Sequence, residues 1–146
     1  MALSYNLVQQ AIPEAKGFSK DDLLFETLSL VADCHQPKSL FVPIYTHDSS
    51  TELNTAIANG AIGAIWEKGK KLPSYTPNHF PVFYTNDLKE GIQKMIAIYE
   101  KQLNAKANRT KFIFSEELSL NSIIETYDIA VIKEHISLVD KSKGGE

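Results

Sequence analysis

The chain has 146 residues, a formal net charge of −3, 43% hydrophobic residues and 23% charged residues. That is the profile of one ordinary globular domain, large enough to bury a core without disulfides or a metal. A single cysteine, Cys34, excludes an internal disulfide and fits a reducing compartment. Arg109 stands alone against fourteen lysines in an acidic chain, which argues against nucleic acid as a partner, because that role needs clustered positive charge and arginine forks. No apolar run is long enough to span a bilayer, and the first residues lack the basic start and apolar stretch of a secretory signal. The expectation is a cytoplasmic protein with no membrane partner.

In chain order, residues 3–11 suit a short helix that stops at Ile12-Pro13, since proline disfavours helix in the residue before it. Gly17-Phe18-Ser19-Lys20 reads as a loop. Residues 23–32 are ambiguous, with the alternation of Leu28, Leu30 and Ala32 favouring a strand toward the end. After a turn at Gln36-Pro37-Lys38-Ser39, the run Leu40 to Ile44 predicts a buried strand, with Pro43 at its end or on an edge.

A polar loop, Tyr45 to Ser50, precedes a helix in which Ser49 and Glu52 form a capping box and Leu53, Ala56 and Ile57 one apolar stripe. Asn59-Gly60 ends it, glycine taking the left-handed conformation that other residues avoid. Ala61 to Trp66 and Val82 to Tyr84 predict two more strands, separated by a segment rich in lysine and proline. The short basic stretch Lys68 to Lys71 reads as a solvated loop rather than a phosphate patch.

Asn86 or Asp87 caps the longest helix, whose apolar face is Leu88, Ile92, Met95, Ile96, Tyr99 and Leu103. Beyond a polar break at Asn104 to Asn108, the pattern predicts a strand over Lys111 to Phe114, a helix over Leu118 to Tyr127 and a strand over Ile129 to Lys133. Alternating strands and helices give an α/β fold: one small domain over residues 1–140, its mixed or mostly parallel sheet flanked by helices, with a disordered tail at 141–146.

The motif order Asp33-Cys34-His35, Leu40-Phe41-Val42, Asp48-Ser49-Ser50, Asn59-Gly60-Ala61, the strand around Ile65, Pro81-Val82-Phe83 and Asp87 with the helix through Tyr99 resembles the N-terminal domain of the Mur ligases. The likeness covers about half the chain. In that family the domain holds the UDP-sugar part of a UDP-N-acetylmuramoyl-peptide substrate for bacterial peptidoglycan, beside Asp-Ser-Arg and Asp-Gly-His segments. Here His35 stands in the arginine position and Ser49-Ser50 in the Gly-His positions. The Mur ligases continue into an ATPase domain that opens with a strand and a Gly-Lys-Thr loop. After Lys111 to Phe114 this chain instead reads Ser115-Glu116-Glu117-Leu118-Ser119, with neither the glycine nor the lysine that wraps phosphates.

The resemblance therefore implies a stand-alone binding module without ligase activity, cofactor or metal. Its partner would be a UDP-N-acetylmuramoyl-type ligand or a cell-wall-synthesis protein. The ligand-binding residues would be Asp33, Cys34, His35, Asp48, Ser49, Ser50 and Thr51. Two other readings stand beside it. The same fold could serve as a protein-interaction or regulatory module that has lost its ligand, with Asp33 to His35 a polar turn and Ser49 a helix cap. A small hydrolase or transferase would use Cys34 or the Asp48/Ser49 pair. His47, His79 and His135 lie far apart with no metal-ligand spacing, and Trp66 and Tyr84 suit a core edge better than a base-stacking platform.

Overall fold

Short apolar runs separated by polar turns set the strand lengths. A computed structural model describes residues 3–16, 24–44, 49–70, 72, 80–102, 110–115 and 123–138. In chain order the elements are β1 (Leu3–Ser4), α1 (Tyr5–Ala11), β2 (Ala15–Lys16), β3 (Leu24–Phe25), β4 (Thr27–Ser29), β5 (Ser39–Phe41) and α2 (Ser49–Ala58). They continue with β6 (Ala61–Glu67), β7 (Val82–Thr85), α3 (Leu88–Gln102), β8 (Lys111–Ser115), β9 (Ile123–Thr126) and α4 (Ile129–Leu138). The main sheet has the order β2-β7-β6-β5-β4-β8-β9. Its five central strands run parallel, and β2 and β9 close the two sides as antiparallel strands. A small antiparallel pair, β1 with β3, lies apart. The expected α/β architecture with a mostly parallel sheet is the one observed.

Each face of the sheet buries its own core. One face carries Leu28, Leu40, Ile65, Phe83, Phe112 and Phe114 and is covered by α1, α3 and α4 through Leu7, Val8, Ile92, Met95, Ile96, Tyr99, Ile132 and Ile136. The other face carries Phe41, Ala61, Ala64, Trp66 and Val82 and is covered by α2 through Leu53 and Ala56. Ala61 and Ala64 are three residues apart yet share the α2 side, because the β5–β6 register shifts between Ser39 and Leu40. The small alanines let α2 lie close to the sheet.

Helix ends follow local chemistry. Ser4 caps α1, its hydroxyl accepting from Leu7 N at 3.1 Å. Of the two expected caps for α3, Asp87 is the one used, with Oδ1 accepting from Glu90 N at 3.2 Å. Asn59-Gly60 stops α2 as expected, with Gly60 at φ +124°.

Several expectations are corrected. Residues 123–126 form a strand, not part of a helix over Leu118 to Tyr127; positions 118–122 lie outside the described residues. The segment from Ile129 to Lys133 is helical, not a strand. Asp128 Oδ1 accepts from Ala130 N at 2.9 Å to start α4, and Ile132 and Ile136, one turn apart, enter the core. Strand β4 ends at Ser29, so Leu30 and Ala32 follow it rather than extend it. Leu3 and Ser4 belong to β1, ahead of the first helix. The loop at residues 17–20, the break at 104–108, Leu103 and the tail at 141–146 lie outside the described residues.

Candidate functional site

The parallel neighbours β4 and β5 are joined without a helix. Residues 30–38 cross instead as a loop, and Asp33-Cys34-His35 sit in its middle, four to six residues beyond the end of β4 rather than at a strand end. A loop this short over a sheet buries backbone carbonyls, and each needs a donor. Gln36 supplies them. Its side chain is fully buried, and its Nε2 donates to Val31 O at 2.8 Å, Ala32 O at 3.0 Å and Cys34 O at 3.3 Å. Its Oε1 accepts from Ser39 Oγ at 2.6 Å.

The loop is also tied to the end of α2. Asn59 Nδ2 donates to Ala32 O at 3.0 Å, and Gln36 N donates to Asn59 O at 3.0 Å. Ser29 closes the other end, accepting from Val31 N at 3.1 Å and donating to Val31 O at 2.6 Å. The outcome is a rigid backbone from which the exposed side chains of Asp33 and His35 project.

Cys34 is half-buried. Its Sγ lies 3.8 Å from Ser29 Oγ and 3.7 Å from Val31 O. Burial pushes its thiol above the usual range; Glu125 and Asp33 add to that, while the Ser29 and Gln36 contacts oppose it. A thiol held protonated is a poor nucleophile, which counts against the cysteine-based enzyme reading. On the neighbouring strands Lys111 Nζ pairs with Glu125 Oε1 at 2.8 Å. That contact is the leading cause of the upward shift at Lys111 and holds its ammonium charged.

The second candidate segment opens α2. The described helix spans Ser49–Ala58, with Glu52 in its first turn. Ser50 and Thr51 follow within that turn; Asp48 lies outside the described residues. The two segments flank opposite ends of one helix. Ala32 and Gln36, which bracket Asp33 to His35, bond to Asn59 just past its C-terminus, whereas Ser49 to Thr51 begin it. Ten helical residues span about 15 Å.

Gln36 carries the architecture of the site, and the sequence offered only its place in a turn. His135 packs on Phe114 with ring centroids 4.3 Å apart, away from this loop; His47 and His79 lie outside the described residues. Among the described residues no three His, Cys, Asp or Glu side chains gather to hold a metal ion, and no helix is long and apolar enough to cross a membrane. No protein-family model and no curated protein matches the chain.

Proposed function

We propose that the chain is a binding module that performs no chemistry of its own and takes a UDP-N-acetylmuramoyl-type ligand, as the substrate-recognition domain of the Mur ligases does. The observation that supports this most is the loop locked by Gln36, which holds the exposed Asp33 and His35 on a fixed backbone. Polar groups ordered in advance bind without losing further conformational entropy. In this reading the Asp33 carboxylate accepts from sugar hydroxyls and a His35 ring N–H donates to an oxygen of the ligand. At the far end of α2, Ser49 to Thr51 present backbone N–H groups that the helix leaves unpaired. Polar groups about 15 Å apart along a helix suit an elongated nucleotide sugar better than a compact metabolite. The protonated Cys34 thiol favours binding over catalysis.

A second reading, contact with a cell-wall-synthesis protein, draws on the exposed apolar side chains Tyr127 and Val131, 51% and 40% accessible, beside the outer strand β9. One titration separates the two. In an amide NMR titration with UDP-N-acetylmuramic acid, shifts gathered at residues 33–35 and 49–51 support the ligand reading. An unchanged spectrum at millimolar ligand removes it and leaves the protein-contact reading.

A further inference from the structure

The chain has one Asn-Gly pair, Asn59-Gly60. Glycine has no Cβ, so the backbone nitrogen that follows this asparagine is unshielded. In an unfolded chain such a pair deamidates spontaneously. The glycine nitrogen loses its proton to base and attacks the asparagine Cγ; the bond to Nδ2 breaks and ammonia leaves. Water then opens the cyclic succinimide at either carbonyl and leaves aspartate or isoaspartate at position 59.

The fold needs this pair and holds both reacting groups. Gly60, at φ +124°, ends α2, and its N–H, the nucleophile, donates to Ile57 O at 3.1 Å. The leaving group is held as well. Asn59 Nδ2 donates to Thr55 O at 3.1 Å within α2 and to Ala32 O at 3.0 Å in the 30–38 loop. On the backbone, Asn59 O accepts from Gln36 N at 3.0 Å, and Gly60 O from Ser39 N at 3.3 Å. Swinging Asn59 Cγ onto Gly60 N turns the side chain away from both carbonyls and takes the N–H from Ile57 O. Both residues are partly exposed, so base and water reach the peptide once these bonds part.

We infer that Asn59-Gly60 is a modification site, a deamidation centre kept silent by the Gln36 loop, whose conversion detaches that loop from α2. The product does not fit the place in which it forms. A carboxylate donates nothing to Ala32 O or Thr55 O, and it puts a negative charge at the C-terminal end of a helix with no basic residue in its last turn. Isoaspartate also runs the main chain through Cγ, adding a methylene ahead of Gly60, where even an added Cβ would lie 2.5 Å from Gln36 O. Ala32 O keeps Gln36 Nε2, so the loop loses its hold on α2 rather than its internal bonds. With ammonia lost, the conversion runs one way. It releases the backbone that carries Asp33 and His35, whatever those side chains bind.

The test follows position 59 by peptide mapping of the full chain in mildly alkaline buffer. The folded chain should convert at least about 10-fold more slowly than the urea-unfolded one, since only openings of the loop free the reacting groups. Gln36→Leu, still folded at the temperature used, should convert about 10-fold faster than the parent. Ile136→Ala, a change of similar cost on the other face of the sheet, should convert at the parent's rate. Equal rates in the folded and unfolded parent would overturn the inference, as would equal rates in the parent and Gln36→Leu. Equal acceleration in both variants would assign the protection to global stability and overturn the role of the loop. If Gln36→Leu does not fold, Ser39→Ala, which removes only the hydroxyl on Gln36 Oε1, takes its place with the same expected direction. Asn59→Asp reads the consequence: amide exchange over residues 30–38 should quicken while residues 92–99 keep the parent's rates. Unchanged exchange over residues 30–38 would remove the release of the loop.

Discussion

Ser39 Oγ donates to Gln36 Oε1 at 2.6 Å, and both side chains are fully buried. This contact fixes the amide plane of Gln36, so that its Nε2 faces the carbonyls of Val31, Ala32 and Cys34. The first residue of β5 thereby sets the path of the loop that leads into it. A side chain that both accepts and donates is needed, and the glutamine amide does both without charge, with two N–H donors on the nitrogen that faces the carbonyls.

Replacing Gln36 with leucine would remove the donor that ties three loop carbonyls together and the acceptor of the buried Ser39 hydroxyl, leaving Cys34 O without its donor while Val31 O keeps Ser29 Oγ and Ala32 O keeps Asn59 Nδ2. The expected loss is about 3 kcal/mol, or a fall in Tm of about 6–12 °C for a chain of this size. Gln36→Glu is the sharper variant, since a carboxylate cannot donate to those carbonyls. It should be more destabilised at pH 7 than at pH 4, where a protonated carboxyl regains one donor. Urea unfolding of both variants at the two pH values checks this; equal losses would mean that shape alone, not donation, holds the loop.

Gly60 stands against the same residue. At φ +124° it occupies backbone space that other residues avoid, and a Cβ there would lie 2.5 Å from Gln36 O. Gly69, at φ +91°, has nothing within 4 Å of such a Cβ. Gly60→Ala should therefore cost well over the about 1–3 kcal/mol of backbone strain, whereas Gly69→Ala should cost the strain alone. Thermal melts of the pair make the comparison, and equal melting points would remove the steric argument.

The stop at Gly60 was legible in the sequence because the left-handed conformation selects glycine locally. The stripe of α3 was legible too, since Ile92, Met95, Ile96 and Tyr99 repeat at helical spacing and all four are buried. The C-terminal region misled for the opposite reason. Ile129-Ala130-Val131-Ile132 is an apolar, β-branched run that reads as a strand, and packing decides otherwise, with Ile132 and Ile136 against the sheet and Val131 left exposed. Asp128 was the signal available, a helix cap directly ahead of that run. Strand β9 has four residues and shows no alternation of burial, so no period marked it. Gln36 was missed as an organiser because its partners include Asn59, 23 positions away, brought to it only by the fold.

Cys34 offers a chemical test. Its thiol is half-buried and pushed up chiefly by burial. Raising the pKa in the folded state favours the neutral form, so its contribution to stability is present below the unfolded value and is lost as pH rises through the folded value. Alkylation by iodoacetamide at pH 7.5 should be slower than for the urea-unfolded chain, and the rate should keep rising to higher pH than in the unfolded chain. A folded-state rate equal to or faster than the unfolded one would restore a nucleophilic role.

His135 runs in the opposite direction. Burial against Phe114 lowers its pKa below the ordinary 6.5. Folding then favours the neutral ring, so this contribution is present above the unfolded value and is lost as pH falls through 6.5 toward the folded value. The side chain lies on α4, which also reaches α3 through the Lys133–Glu100 pair at 2.9 Å and the Lys89 Nζ to Ser137 O contact at 3.1 Å. Protonating His135 should therefore loosen the helix that covers β8 and β9, while the Gln36 loop on the opposite face keeps its bonds. Urea midpoints measured between pH 7.5 and 5.5 should fall with pH in the parent and fall less in His135→Gln, which carries no charge at either limit. Amide exchange over residues 129–138 should quicken at pH 5.5 in the parent before it quickens over residues 30–39. Parallel slopes in the two chains would assign the pH dependence to other groups.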